Sequence, residues 1–203
     1  KVICMNEIAS TRRALAIDLD GTLLVGETLS VRSKIAVKRA FDAGYEVIIA
    51  TARWRQMATR IAAEIGLIDT PIIACSGAQV FSQRKQQDVY DVRLPIEFVR
   101  LLYQICNDNR CIASATVDGH SWLKLDQASD AEYLSEELRW VQQLPMPTPG
   151  LPSDLPRIAT VQGTGTIKEV RALQAARFSE DVNIFDSIGP SGKIVITITS
   201  KQA

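Results

Sequence analysis

The stretch that decides the fold is Ala14-Leu15-Ala16-Ile17-Asp18-Leu19-Asp20-Gly21-Thr22-Leu23-Leu24. It begins as a short apolar run, which is typical of a strand buried in a sheet. Two carboxylates follow two positions apart, and Asp20-Gly21 then breaks the run with a turn signal. Charged groups at the end of a buried strand need solvent, a metal or a ligand, so Asp18 and Asp20 are candidate site residues.

The same alternation of strand and helix continues after this stretch. Ser30 can cap a helix, the strand Tyr45–Ala50 follows, and a second helix covers Trp54–Ile65. A third apolar strand, Ile72–Cys75, comes after a short connection. Strands that alternate with helices in this way indicate a parallel sheet. Residues 1–82 therefore predict the first half of a Rossmann-like α/β core.

The pattern changes after residue 82, where the polar run Gln83–Asp88 predicts a boundary. The elements predicted beyond it are, in order, helix Pro95–Asn109, strands Cys111–Val117 and Trp122–Leu125 joined through Asp118-Gly119, helix Asp130–Leu144, strand Arg157–Gln162, helix Ile167–Phe178, and strands Val182–Phe185 and Lys193–Thr199. Helices mixed with hairpins are typical of an α+β layer. We therefore expect a core at 1–82, an inserted α+β cap at 83–199, and a return to the core at 200–203.

Composition excludes several classes of protein. The 203 residues carry 23 basic and 23 acidic side chains, so the excess of positive charge that nucleic-acid binding needs is missing. Four cysteines and one histidine match no familiar zinc spacing, and the cysteines are too sparse for a disulfide scaffold. The sequence contains no apolar run approaching the roughly 20 residues that span a bilayer. We expect a cytoplasmic protein with no nucleic-acid or membrane partner; the sequence does not indicate its oligomeric state.

Two further segments follow predicted strands and point to the same edge of the sheet. Thr51-Ala52-Arg53 ends the second strand, and a threonine hydroxyl beside free N–H groups at a helix start can bind phosphate. Ser76-Gly77 ends the third strand. Taken singly, Asp18 to Gly21 fit an ordinary turn with a capping aspartate as well as a site, and Thr51 and Arg53 fit an ordinary N-cap threonine with a solvated arginine better than a site. Small or polar residues at the ends of three successive strands favour a ligand crevice.

These motifs resemble those of the haloacid dehalogenase-like (HAD) superfamily. Residues 18–24 are similar to its motif D-x-D-G-T-L-L, and 51–53 are similar to its T-G-R segment. The segment 75–78 resembles the S-N-G-A of the Cof-type branch, whose members carry a large type IIB cap after the third strand. Two departures stand out: Ala52 replaces glycine, and Ser76 stands where asparagine is common.

The resemblance implies a role for each matching residue. Asp18 would be the nucleophile and a Mg²⁺ ligand. Asp20 would be the general acid/base, with its backbone carbonyl on the same metal. The residues expected to bind the substrate or its phosphate are Gly21, Thr51, Ala52, Arg53, Ser76 and Gly77.

We therefore expect a Mg²⁺-dependent phosphatase that hydrolyses a small phosphorylated metabolite, such as a sugar phosphate, through an aspartyl-phosphate. In the Cof-type branch, 198–203 would lead into a segment with the catalytic lysine and further Mg²⁺ ligands, so we expect the core to be incomplete here and the chain to be part of a longer protein. Lys201 stands too early to be that lysine.

The alternative is a catalytically incompetent module that binds a ligand or partner. A receiver-type signalling domain ranks third, because that class of domain lacks a long inserted cap.

Overall fold

The structure is a computed structural model that describes residues 13–26, 28–118, 120–126, 148–149, 152–189 and 192–203. The elements of the first part are, in chain order, β1 (Ala14–Ile17), β2 (Leu24–Val25), β3 (Thr28–Leu29), α1 (Val31–Asp42), β4 (Glu46–Ala50), α2 (Arg55–Ile65), β5 (Pro71–Ala74), β6 (Gln79–Ser82) and β7 (Gln87–Asp91). Those of the second part are α3 (Ile96–Asp108), β8 (Ile112–Val117), β9 (His120–Lys124), β10 (Thr148–Pro149), β11 (Ile158–Gln162), α4 (Thr164–Arg177), β12 (Val182–Ile188) and β13 (Ile194–Ser200).

The first sheet has the strand order β1-β4-β5-β6-β7. Strands β1, β4 and β5 are parallel, as the alternation of strands and helices predicted. Strands β6 and β7 extend the sheet as an antiparallel hairpin, which the sequence analysis missed. The boundary predicted after residue 82 falls in the turn of this hairpin, so the first sheet continues to Asp91. The division of the chain into domains stays a prediction.

Local sequence signals explain the two helices of this part. The Ser30 Oγ accepts a hydrogen bond from the Ser33 N–H at 3.0 Å and caps α1, as expected from the sequence. Helix α2 ends at Gly66, which takes the left-handed conformation (φ 87°) that suits glycine. Buried apolar residues of α2 pack with those of the parallel strands in one cluster, which includes Val47, Ile61 and Ile72. This cluster fixes the parallel strands beneath the loops that follow them.

The second sheet has the order β10-β9-β8-β11-β13-β12 and is mainly antiparallel. The hairpin predicted at Asp118-Gly119 joins β8 to β9, and α3 and α4 complete the expected α+β layer. A second cluster of buried side chains forms its core, with Phe98 and Phe178 packed edge to face at 5.3 Å between ring centroids. The helix predicted over 130–144 lies outside the described residues.

Three cysteines are described, Cys75, Cys106 and Cys111, and each is a buried free thiol. Within the described ranges, no helix is both long enough and apolar enough to cross a membrane. The chain is thus a mixed α/β protein whose parallel strands form the core of the first sheet.

Gln83 shows why the polar run Gln83–Asp88 wrongly indicated the end of the first sheet. Its side chain is buried, and its Nε2 donates to the backbone oxygens of Leu67 and Thr70, both at 2.8 Å. The amide therefore anchors the connection between α2 and β5 to the start of the β6–β7 turn. A polar residue that satisfies buried carbonyl groups cannot be told from a solvated one by composition alone.

We predict that Gln83→Leu lowers the free energy of unfolding by about 1–3 kcal/mol, because it leaves buried carbonyl groups without a donor. Gln87→Leu is the matched control, since Gln87 lies on the same hairpin and is exposed. Urea denaturation of both variants measures the difference. Equal stabilities of the two variants would contradict the anchoring role of Gln83.

Candidate active site

The three parallel strands end at one edge of the first sheet. Ile17 lies opposite Ile49, and Ala50 lies opposite Ile73, so β1, β4 and β5 stop at nearly the same level. The loops that follow begin at Asp18, Thr51 and Cys75, and all predicted site residues lie in them. Three loops that leave one sheet edge form the crevice where open α/β sheets bind ligands.

The first loop folds back on itself and leaves both carboxylates in solvent. Leu19, between them, is fully buried, and its backbone oxygen accepts hydrogen bonds from the Leu24 N–H at 2.8 Å and the Thr22 N–H at 3.3 Å. The alternation of the extended chain then turns Asp18 and Asp20 outward, and both are exposed. Gly21 makes the turn with φ 74°, a conformation that glycine adopts without strain.

The second loop runs from Thr51 to Trp54 and ends before α2 begins. Thr51 does not cap α2: the helix begins only at Arg55, and its N-cap is Trp54, which makes no side-chain capping bond. Instead the Thr51 Oγ1 accepts a hydrogen bond from the Arg53 N–H at 3.1 Å, and the Thr51 N–H donates to Ile73 O at 2.9 Å. Ala52 is exposed and has no positive φ, so the absence of glycine there costs no backbone strain.

Arg53 connects this loop to the first one. Its Nε lies 2.9 Å from Asp20 Oδ2, and its Nη2 lies 2.5 Å from Asp20 Oδ1. The side chain of Arg53 is 13% exposed and that of Asp20 is 50% exposed. A guanidinium that contacts both oxygens of a carboxylate fixes its direction as well as its place. The sequence analysis named both residues and did not foresee their contact.

The third loop is a single helical turn over Cys75–Gly77 that hydrogen-bonds to the second. The Cys75 N–H donates to Arg53 O at 2.9 Å, and the Ser76 N–H donates to Thr51 O at 3.1 Å. Cys75 and Ser76 have φ values of 52° and 56°. Serine tolerates this region less well than asparagine does, so the backbone at Ser76 is in a less favourable conformation than it would be with asparagine there.

Gly77 lies against the end of the chain. Its φ is 100°, and a Cβ atom there would lie 2.9 Å from the carbonyl carbon of Ala203. Residues 201–203 follow β13 of the second sheet, so this contact brings the chain back from the second sheet to the site loops. Only glycine permits both the backbone conformation and the close approach.

Cys75 is not a candidate nucleophile. Burial raises the pKa of its thiol to about 12, and the nearby positive charge of Arg157 offsets only part of this effect. The thiol is therefore protonated at neutral pH, whereas nucleophilic attack requires the thiolate. The exposed carboxylates of the first loop remain as candidates for the nucleophile.

The first loop carries oxygen donors that fit a magnesium ion. Across the described residues, no group of three or more His, Cys, Asp or Glu side chains is arranged to hold a metal. Mg²⁺ is commonly bound through one or two carboxylates, with water and substrate phosphate as its remaining ligands. Asp18 supplies an exposed carboxylate, and Asp20, whose carboxylate contacts Arg53, would add its backbone carbonyl.

Two characterised proteins are similar to parts of this chain. Pyridoxal phosphate phosphatase YbhA of Escherichia coli (strain K12) is 29% identical over 140 residues, which cover 66% of this chain and 48% of that protein. The 5-amino-6-(5-phospho-D-ribitylamino)uracil phosphatase YwtE of Bacillus subtilis (strain 168) is 42% identical over 69 residues, or 34% of this chain and 23% of that protein. The chain thus spans less than half the length of either curated relative.

The fold is shared with solved structures of the same group. A structure described as a HAD subclass IIB sugar phosphatase superposes with a TM-score of 0.71 at 17% identity, over 94% of this chain and 71% of that one. A family model described as haloacid dehalogenase-like hydrolase matches residues 15–203. The chain belongs to the haloacid dehalogenase-like hydrolase family, and its features fit the Cof-type branch.

Proposed function

We propose that the protein is a Mg²⁺-dependent phosphatase that hydrolyses a small phosphorylated metabolite through an aspartyl-phosphate. The observation that carries the proposal is the exposed pair Asp18 and Asp20, with Arg53 bonded to Asp20, at the edge where β1, β4 and β5 end. An exposed carboxylate at a sheet edge, next to a second carboxylate that contacts a cation, suits attack on phosphorus.

The proposed reaction has two displacement steps. A carboxylate oxygen of Asp18 attacks phosphorus, and the bond between phosphorus and the leaving oxygen breaks while Asp20 donates a proton to that oxygen. Asp20 then takes a proton from a water molecule, which attacks the aspartyl-phosphate and releases inorganic phosphate and the Asp18 carboxylate. Asp20 is protonated at the start and at the end of this cycle, and the contact with Arg53 would hold its ionised carboxylate in place between the two steps.

The other site residues bind and position the phosphate. Asp18 and Asp20 would hold Mg²⁺, which supplies neutralisation of the phosphate charge when bound. Thr51 and Gly21 would bind the phosphate itself, at the start of the second loop and in the turn of the first. Ala52 is exposed in the second loop, and Ser76, whose N–H donates to Thr51 O, lies next to it with Gly77; these three residues would contact the substrate.

The proposed substrate is a monoester of a small molecule. Support comes from the relatives, whose names specify pyridoxal phosphate, a phosphoribityl compound and a sugar phosphate. We also propose a cytoplasmic location, because the described cysteines are free thiols, in keeping with a reducing compartment. A screen of sugar phosphates, nucleotides and cofactor phosphates with the complete gene product would identify the substrate.

We predict that Asp18→Asn lowers kcat for p-nitrophenyl phosphate by about 10³-fold or more, because the amide cannot form the acyl phosphate. Asp69→Asn is the matched control: Asp69 is exposed and lies just before β5, at the opposite end of that strand. Thermal unfolding checks that both variants are folded. A wild-type protein that binds phosphate esters and hydrolyses none would instead support a binding module.

We predict that removal of divalent cations with EDTA abolishes hydrolysis and that added Mg²⁺ restores it, because the phosphate charge would otherwise repel the Asp18 carboxylate. The rate of p-nitrophenol release before and after Mg²⁺ is returned measures the effect. Full activity in excess EDTA would exclude the metal from the mechanism.

We predict that Arg53→Lys lowers kcat by about 10- to 100-fold, since a lysine cannot contact both oxygens of Asp20 and the acid/base carboxylate loses its fixed direction. Arg39→Lys, on the exposed face of α1, is the control and keeps wild-type kinetics. Unchanged kcat in the Arg53 variant would show that its contact with Asp20 has no part in catalysis.

A further inference from the structure

A buried arginine lies where the two sheets meet. Arg157 directly precedes β11 of the second sheet, and its side chain is only 3% exposed. A guanidinium cannot be neutralised at physiological pH, so burying it requires carboxylate partners close by. Those partners come from both sheets.

The guanidinium bridges the two sheets directly. Its Nε and Nη2 donate to the two oxygens of Asp91, at 2.6 and 2.9 Å, and Asp91 is the last residue of β7 in the first sheet. Its Nη1 donates to Asp118 Oδ1 at 3.2 Å, and Asp118 follows β8 in the second sheet. Arg93, between β7 and α3, contacts the same two carboxylates at 3.2 and 2.5 Å.

Asp88 completes the group from the first sheet. Its Oδ2 lies 3.7 Å from Arg157 Nη2, and both of its oxygens accept hydrogen bonds from Gln79 Nε2, at 2.9 and 3.0 Å. Gln79 opens β6, directly after the third site loop. The network, defined as Asp88, Asp91, Arg93, Asp118 and Arg157, is therefore attached to the strand that leaves the site.

The network sets three carboxylates against two guanidinium groups, and the close contacts favour the charged form of the carboxylates. Burial alone would raise the pKa of Asp91, but hydrogen bonds from Arg157 and then Arg93 lower it below its usual value. The hydrogen bond from Arg93 likewise lowers the pKa of Asp118, with burial opposing it. Both carboxylates therefore stay ionised at neutral pH, and the ion pairs that bridge the two sheets are present at that pH.

Backbone contacts extend the network to the third site loop. The Val92 N–H donates to Ala78 O at 2.9 Å, and the Leu94 N–H donates to Pro156 O at 2.9 Å. The first bond ties the connection after β7 to the residue that ends the Cys75–Gly77 turn. The second joins the two connections that run between the sheets.

We propose that Arg157 is a positioning residue: by bonding Asp91 and Asp118 at once, it sets the orientation of the second sheet relative to the first. Through the bond from the Val92 N–H to Ala78 O, the same junction supports the Cys75–Gly77 loop. This inference rests on the proposed phosphatase function for its kinetic consequence. Esters with a leaving group large enough to reach the second sheet depend on that orientation. A very small leaving group does not.

The test compares Arg157→Gln and Arg157→Lys with Arg171→Gln in the complete protein. Arg171 pairs with Asp186 at 2.5 Å, entirely within the second part of the chain, so its loss removes an Arg–Asp pair without touching the junction. Hydrogen–deuterium exchange of the Val92 and Leu94 amides reports on the junction. Values of kcat and KM for p-nitrophenyl phosphate and for acetyl phosphate report on the site.

We expect Arg157→Gln to raise exchange at Val92 and Leu94 at least tenfold. We also expect it to lower kcat/KM for p-nitrophenyl phosphate about fivefold or more, mainly through KM, and that for acetyl phosphate less than twofold. Arg157→Lys, which keeps the charge, should recover part of both effects, and Arg171→Gln should show neither. A folded Arg157→Gln variant with wild-type exchange at both amides would overturn the proposal.

Two outcomes separate this inference from the proposed function. If the wild-type protein hydrolyses no ester and exchange still rises in Arg157→Gln, the phosphatase proposal fails and the role of Arg157 at the junction stands. If Arg157→Gln does not fold, Asp118→Asn gives the same readout, because Asp118 is 65% exposed and its loss removes only the second-sheet side of the bridge. Exchange at Leu94 should then rise, and wild-type exchange in that variant would overturn the proposal.

Discussion

The candidate site depends on Arg53 more than on any other residue. Its side chain holds the Asp20 carboxylate of the first loop, its N–H bonds to the Thr51 hydroxyl, and its carbonyl oxygen receives the Cys75 N–H of the third loop. One residue thus connects the three loops that leave the parallel strands. The strands supply the common edge, and Arg53 determines how the groups at that edge face one another.

The parallel part of the first sheet could be predicted because each strand is a short apolar run with a clear helix signal nearby. Ser30 and Gly66 mark helix ends by their own chemistry, which is independent of the rest of the fold. The β6–β7 hairpin could not be predicted in this way. Gln83 is polar yet buried, because the carbonyl groups it satisfies belong to another connection.

The sequence predicts which residues belong to the candidate site, but it does not predict how they contact one another. Asp18, Thr51 and Ser76 follow successive parallel strands, so topology alone brings them to one edge. Arg157 gave no comparable signal: it is a single basic residue before a strand, and its partners Asp91 and Asp118 lie 66 and 39 positions away. Pairings over such separations arise from the packing of the two sheets, which no local pattern encodes.

The central claim is that Asp18 receives the phosphoryl group, and chemical trapping tests it most directly. Borohydride reduces an acyl phosphate to an alcohol, so treatment during turnover should convert Asp18 to homoserine, which peptide mass spectrometry would locate. We expect conversion at position 18 alone, only in the presence of substrate, with Asp20 unmodified. Steady hydrolysis without any conversion at Asp18, or with conversion at another carboxylate, would contradict the assignment of the nucleophile.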